Sequence, residues 1–393
     1  MDITTEEYTA EFDQELLQLF YRSIYFNRKE FETVRPSNNW IDRYRINNNS
    51  ITKIAIHKGK IIASLGVIPT KCKVKGKVMN VGCFVDNCIL PKFLDNYEII
   101  FNNLFSEIEN DMKQKGVNVI CGWDYLKNIQ QHKDFFHSMG FTWINGVNWF
   151  AGGYDFKGEY PRKWDVNLSL FWKIIFKLVF NMNRLTRSPL HHLPAGVKIR
   201  EMVNSDIKKI LKLSDNFYSD FELAPYYTIK EYKKIQRANN IHGIIAEYNS
   251  DIIGALTYIT GAWSGWMFGK PSYSNNWKTF FTLTPDEFII TPKFQDTSVP
   301  TYMILELMKI KHPNKPTEYK KNYSFIADIF DRRINWRRES ILKSGCIEAK
   351  ADLGAILVKS LKKDLNLDTS KLWNLPARNI ITPVREIDIP YTK

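Results

Sequence analysis

Two stretches decide how this chain is read: ILPKFLD at Ile89–Asp95 and ITPKFQD at Ile290–Asp296. They match at five of seven positions, and their surroundings repeat in the same order. Upstream stand IAIHKGKIIASL (Ile54–Leu65) and IIAEYNSDIIGAL (Ile244–Leu256). Both read as strand, tight polar turn, strand, with Lys58-Gly59 and Asn249-Ser250 as hairpin turns. Downstream come the apolar runs VNVICGW (Val117–Trp123) and SFIADIF (Ser324–Phe330), each expected to be a buried strand. Asn128 with FFHSMGF (Phe135–Phe141), and Asn335 with SILKSGC (Ser340–Cys346), then read as helical stretches ending at a glycine cap. Leu16-Leu17-Gln18-Leu19 and Ile210-Leu211-Lys212-Leu213 open the halves on helices, with Asp206 placed as an N-cap.

Each half therefore runs helix, strand, strand, longer strand, helix, strand, helix, strand. The fold class is α/β (α+β): two similar domains, each a mixed, mostly antiparallel sheet flanked by helices. The expected boundaries are 1–155 for the first domain, 156–196 for a linker, 197–360 for the second domain and 361–393 for a C-terminal extension. Within the linker, Asn167–Leu185 reads as a basic amphipathic helix that docks on the domains or contacts a membrane surface peripherally.

Composition bounds the rest. A chain of 393 residues with 44% hydrophobic and 14% aromatic residues builds real cores and is not disordered. The net charge of +13 favours anionic partners, among them a CoA-type phosphate or tRNA. Five cysteines without a CxxC spacing, and seven histidines without metal-ligand spacing, argue against a disulfide framework or a metal site. The acidic N-terminus is unlike a signal peptide, and no apolar run approaches the ~18 residues that span a bilayer, so a cytoplasmic protein is expected. No Walker loop, Rossmann fingerprint or GxSxG occurs.

The block order, with DNCILPKF (Asp86–Phe93), TKCKVKGKVMNVG (Thr70–Gly82) and CGWDYLKN (Cys121–Asn128) followed by SMGF, resembles the GCN5-related N-acetyltransferase (GNAT) superfamily over about residues 1–155 and 197–360. In that family the fourth strand leads into Arg/Gln-x-x-Gly-x-Gly/Ala, whose backbone N–H groups hold the CoA pyrophosphate at a helix N-terminus. Here the first half has Leu94, Tyr97 and Ile99 at those positions, and the second has Gln295, Ser298 and Pro300. The resemblance implies a pantetheine arm lying between splayed fourth and fifth strands. It would contact Cys88, Ile89, Leu90 and Asn128 in the first half, and Ile290, Thr291, Gln295, Ser298, Val299 and Asn335 in the second. The family's frequent general-acid tyrosine, four residues before the closing glycine, is Phe136 in one half and Ile341 in the other.

Aminolysis of a thioester needs orientation, an oxyanion donor and a base for a protonated amine. The candidate catalytic residues are Asp86, Asp124 and Glu287, with Tyr125 as a possible acid; Asp286 and Asp328 are further carboxylates on the second half's strands. The expected function is an acetyl-CoA or other acyl-CoA dependent N-acyltransferase acting on a small-molecule amine or amino sugar. The alternatives are a tRNA-dependent aminoacyl or peptidyl transferase of the tandem-GNAT type, and a non-catalytic GNAT-like binding protein. The aromatic, glycine-rich Gly261–Trp277 reads as a substrate-covering loop.

Overall fold

A computed structural model describes residues 2–22, 50–152, 192–238, 241–264, 279–309, 325–331, 333–344 and 347–375. The first half runs β1 (Thr4–Glu7), α1 (Asp13–Arg22), β2 (Ile51–His57), β3 (Lys60–Val74), β4 (Lys77–Ile89), α2 (Tyr97–Gln114), β5 (Val119–Tyr125), α3 (Leu126–Gln131), α4 (Lys133–Ser138) and β6 (Thr142–Gly152). The second runs β7 (Val197–Glu201), α5 (Ile207–Phe217), β8 (Leu223–Pro225), α6 (Ile229–Ala238), β9 (Ile241–Tyr248), β10 (Asp251–Ser264) and β11 (Thr279–Ile290). It continues with α7 (Pro292–Gln295), α8 (Val299–Lys309), β12 (Phe325–Asp331), α9 (Asn335–Lys343) and β13 (Ile347–Ser360).

The turn chemistry explains the matched hairpins. Lys58 (φ 52°) with Gly59 (φ 70°), and Asn249 (φ 50°) with Ser250 (φ 68°), form two-residue loops with both residues left-handed. This geometry matches the twist of the strands they join. In α2 the four-residue spacing of Ile100, Leu104, Ile108 and Met112 places all four in the first half's core. Leu16 and Leu19 of α1, and Ile210 and Leu213 of α5, are buried at matching places in the two halves. Gly140 closes α4 with φ 80°.

The described strands form one sheet in the order β1-β2-β3-β4-β5-β13-β6-β12-β11-β10-β9-β7, with β8 added to the edge of β3. The mixed sheets of the two halves run together because their last strands are exchanged. Strand β6 leaves the first half and pairs antiparallel with β12, from Ile326↔Gly152 to Asp331↔Val147. Strand β13 returns to pair with β5, from Gly354↔Tyr125 to Ser360↔Val119. A shared core seals the seam: Cys72, Cys83, Val119 and Cys121 pack with Leu223, Ile356, Val358 and Trp373.

The sequence reading differs from the structure in local ways. Strand β5 starts later than its apolar run predicts, because Val117 is buried in the turn that follows α2. Asp206 does not cap α5 with its side chain; it reaches back to the Val203 amide (2.8 Å) and forms a two-pronged pair with Arg200. Arg200 offers two parallel N–H donors, which outcompete a single helix amide. The predicted linker helix Asn167–Leu185, residues 265–277 of the aromatic loop, and residues 376–393 lie outside the described residues.

Candidate functional site

The two halves place the same irregularity at the same point in the sheet. Strands β4 and β5 pair in parallel only from Val81↔Val119 to Cys83↔Cys121, although β4 continues to Ile89 and β5 to Tyr125. Among the described residues, strands β11 and β12 pair only at Thr282↔Phe325 and Leu283↔Ile326, although β11 continues to Ile290. Each pair thus opens into a wedge. In the first, the Phe84 ring lies against Gly122, where a Cβ would stand 2.5 Å from the Phe84 Cβ. Bulges sit on the same strands: Asp86 and Asn87 together face Leu65, and Asp286 is the extra residue between Thr257↔Glu287 and Tyr258↔Pro285.

These wedges expose main chain. The amides of Leu90 and Thr291 are bonded back to Ile62 O (2.9 Å) and Ile253 O (2.8 Å). Strand alternation then turns the N–H and C=O of Ile89 and Ile290 the other way, into the wedges. In the second half the Gln295 amide covers one of these groups, donating from Nε2 to Ile290 O at 3.0 Å. The Pro-Lys-Phe blocks that close the strands pack alike. Phe93 meets His57 edge-on at 5.7 Å with the Lys92 ammonium 4.8 Å above the Phe93 ring, and Phe294 meets Tyr248 at 5.4 Å with Lys293 5.5 Å above Tyr248.

The helices beyond differ. In the first half a 3-10 turn, Pro91–Asn96, feeds straight into α2, and the Tyr97 amide is bonded to Leu94 O. Tyr97 is 6% exposed, stacks on His132 at 4.6 Å, and accepts a long bond from Asn87 Nδ2 (3.4 Å). Glu98 Oε1 lies 2.9 Å from His132 Nδ1. In the second half α7 stops at Gln295 and α8 starts afresh at Val299. Thr297 Oγ1 accepts from the Val299 amide (3.2 Å), and the Ser298 hydroxyl donates to His192 O (3.1 Å).

The remaining candidate residues fall as follows. Asp86 lies at the β4 bulge and Asp124 and Tyr125 at the end of β5, with side chains outside the described residues, as are those of Asp286 and Asp328. Glu287 is fully buried beneath α5; Ser214 Oγ donates to its carboxylate (2.9 Å), and its amide donates to Thr257 Oγ1 (3.1 Å). Cys88 is buried against Leu16, Leu19, Ile54 and Ile61, and its main chain pairs with Ser64 of β3, so it does not face the wedge. Asn128 sits inside α3 and accepts the His132 amide at its carbonyl, whereas Asn335 is the exposed first residue of α9. The two asparagines therefore do not hold matching places. Phe136 and Ile341, at the tyrosine positions, are both core residues.

Sequence reasoning missed Asp331. It stands to Asn335 as Asp124 stands to Asn128, and that spacing was the available signal. It is buried, paired with Arg333 (2.6 Å), and accepts the Trp373 amide (3.2 Å). Tyr258, beside the β11 bulge and stacked on His242 at 5.7 Å, was also missed; burial holds its hydroxyl protonated well above the usual tyrosine range. A hydrogen bond with Cys83, together with burial, pushes the Cys121 thiol up, and burial does the same to Cys72. Among the described residues no His/Cys/Asp/Glu group could hold a metal, and no helix is long and apolar enough to cross a membrane.

No family model and no curated protein sequence matches the chain. Solved structures do. N-myristoyltransferase of Saccharomyces cerevisiae with bound myristoyl-CoA superposes with a TM-score of 0.53 at 10% identity, covering 97% of this chain and 85% of that one. A protein of Enterococcus faecalis described as a probable N-acyltransferase gives 0.50 at 7% identity, over 92% and 73%. A GCN5-related N-acetyltransferase of Kribbella flavida gives 0.49 at 10% identity, over 92% and 72%. At such identities the likeness is one of fold. Two repeated halves, each with an opened strand pair, matched over 97% of this chain, give it the tandem GNAT-type fold of N-myristoyltransferase.

Proposed function

We propose that the protein is an acyl-CoA-dependent N-acyltransferase acting on the amine of a small molecule or amino sugar. The observation that carries this reading is the opened strand pair. The main-chain N–H and C=O of Ile89, and the N–H of Ile290, are freed from strand partners there, while Ile290 O carries the Gln295 bond; an extended amide-bearing arm can pair with the freed groups as a short extra strand. An acyl-CoA would supply the activated acyl carbonyl. The chain's own contribution is chiefly orientation: the wedge holds an extended donor in register, and the bulge turns main-chain groups out of the ladder. Main-chain N–H groups aimed at a developing oxyanion act as fixed dipoles that need no reorganisation during reaction.

Isothermal titration of the full chain with acetyl-CoA and with CoA tests the reading directly. Binding of both is expected. If neither binds, the acyltransferase reading falls. Salt-sensitive binding of tRNA in its place would favour transfer from an aminoacyl-tRNA.

A further inference from the structure

We infer that the segment after β13, from Lys362 to Lys371, is a lid over the buried carboxylates of Glu222 and Asp331, built to open without disturbing the sheet beneath it. Its two ends are fixed. The Leu361 amide donates to Asn118 O (2.8 Å) at one end. At the other, Trp373 is fully buried in the shared core, its amide donates to Asp331 (3.2 Å), and the Asn374 amide donates to Leu223 O (2.9 Å). Between these ends the chain folds on itself. Asp368 Oδ1 accepts the Ser370 amide (2.9 Å) and hydroxyl (2.6 Å), and Asp368 O accepts Trp373 Nε1 (3.2 Å). A loop with anchored ends and its own internal turn moves as a unit. Little apolar surface holds it down: Leu365 and Leu367 are only partly buried on the shared core, and Lys362, Lys363, Asp364, Thr369 and Ser370 are exposed.

The bonds on its inner side are ones that water can replace. Arg333 donates to the carbonyls of Thr369 (3.1 Å) and Ser370 (2.6 Å), and also to that of Lys371. Arg333 is exposed and stays paired with Asp331 (2.6 Å) when those carbonyls leave. The Asp368 amide donates to Glu222 Oε1 (2.8 Å). Glu222 itself favours opening. It is fully buried, its Oε2 has no partner among the described residues, and Lys75 Nζ stands 3.9 Å from Oε1. A carboxylate held this way loses more hydration than one main-chain bond returns, and opening restores that hydration. The Glu222 main chain is tied separately, donating to Leu372 O (2.8 Å) and accepting the Lys75 amide (2.9 Å), so release of the lid leaves β8 in place. Opening brings solvent to Glu222 and to Asp331, the last residue of the strand that walls the second wedge and the match of Asp124 in the first half.

Amide hydrogen exchange of the full chain across a series of low urea concentrations tests the lid, read at the Asp368 and Ser370 amides. In wild type these two should exchange through a local opening that urea does not accelerate, while the amides of Gly354–Ser360 in β13 exchange more slowly and faster with urea. Exchange of Asp368 at the rate and urea dependence of β13 would overturn the inference, because the segment would then be a fixed part of the sheet. Two variants, checked for folding by thermal melts, test the anchors. Glu222→Gln keeps an acceptor for the Asp368 amide but gives up the hydration regained on opening, so it should slow Asp368 exchange by about threefold. Unchanged or faster exchange would show that the carboxylate holds the loop down, and the release argument fails. Arg333→Lys still pairs with Asp331 but cannot fork to three carbonyls, and should speed exchange at Asp368 and Ser370 by about tenfold with β13 unchanged. An equal rise in β13 would show that the segment does not open by itself.

Discussion

Gly122 and Phe84 show how one residue sets the shape of a site. The ring of Phe84 lies where a side chain at position 122 would be, in contact with Phe101, Phe105 and Phe141 at 5.8–6.3 Å. Gly122→Ala forces a Cβ against the Phe84 Cβ, which cannot swing away as a side-chain tip can. Such overpacking costs about 1–3 kcal/mol, to be read as a lower urea midpoint, and Gly122→Ala/Phe84→Leu should recover part of it. Asp206 offers a pH-resolved test. Its pair with Arg200 holds the carboxyl below the usual aspartate range, and the Val203 amide adds to this against the opposing effect of burial. A lowered folded value stabilises the protein above the unfolded aspartate value of about 3.9, and that contribution is lost as pH falls through the folded value. Asp206→Asn should therefore lower stability by about 1–2 kcal/mol at pH 7 and lose less on acidification than wild type, measured by denaturant melts at pH 7 and pH 3.

At the scale of elements, the segment after β13 is held by a few strong contacts. Trp373 is fully buried against the shared core, bridges Leu223 in parallel, and donates its amide to Asp331. Arg333, paired to Asp331, also donates to the carbonyls of Thr369, Ser370 and Lys371. Trp373→Ala should cost about 3–5 kcal/mol and expose Lys371 to trypsin under native conditions, detected as an early cleavage product. A second anchor joins the halves at β8. It pairs with β3 at Cys72–Val74, and Lys73 donates to Asp215 at 2.7 Å. That pair is exposed at Asp215, so Lys73→Ala should change stability by less than about 1 kcal/mol in a salt-dependent manner; the backbone pairing carries the contact. The hairpins, α2 and the glycine cap of α4 were legible because each depends on residues close in sequence: two left-handed turn residues, a four-residue apolar period, one Gly. The fate of Tyr97 was not legible, since its partners Asn87 and His132 come from a different strand and helix.

The whole molecule is decided by the exchanged strands. With β6 between β13 and β12, and β13 against β5, each half completes the other's sheet. A fragment of residues 1–155 leaves β5 without β13 and β6 without either partner, exposing edges that aggregate. Alone it should show no cooperative melt, whereas co-expression with residues 192–393 should restore one; the intact chain should unfold in a single calorimetric transition. Two independent transitions would contradict this coupling. The sequence alone determined the repeat and the α/β class, because those follow from apolar periodicity and turn chemistry within each block. It also marked Ile290 to Val299 as the better-kept motif. Only the tertiary structure decided that the halves share one sheet, that Glu287 lies under α5, and that Tyr97 packs between His132 and Phe101. Each of those depends on which strand or ring comes to lie beside another, and the paired ILPKFLD and ITPKFQD blocks are too local to specify it.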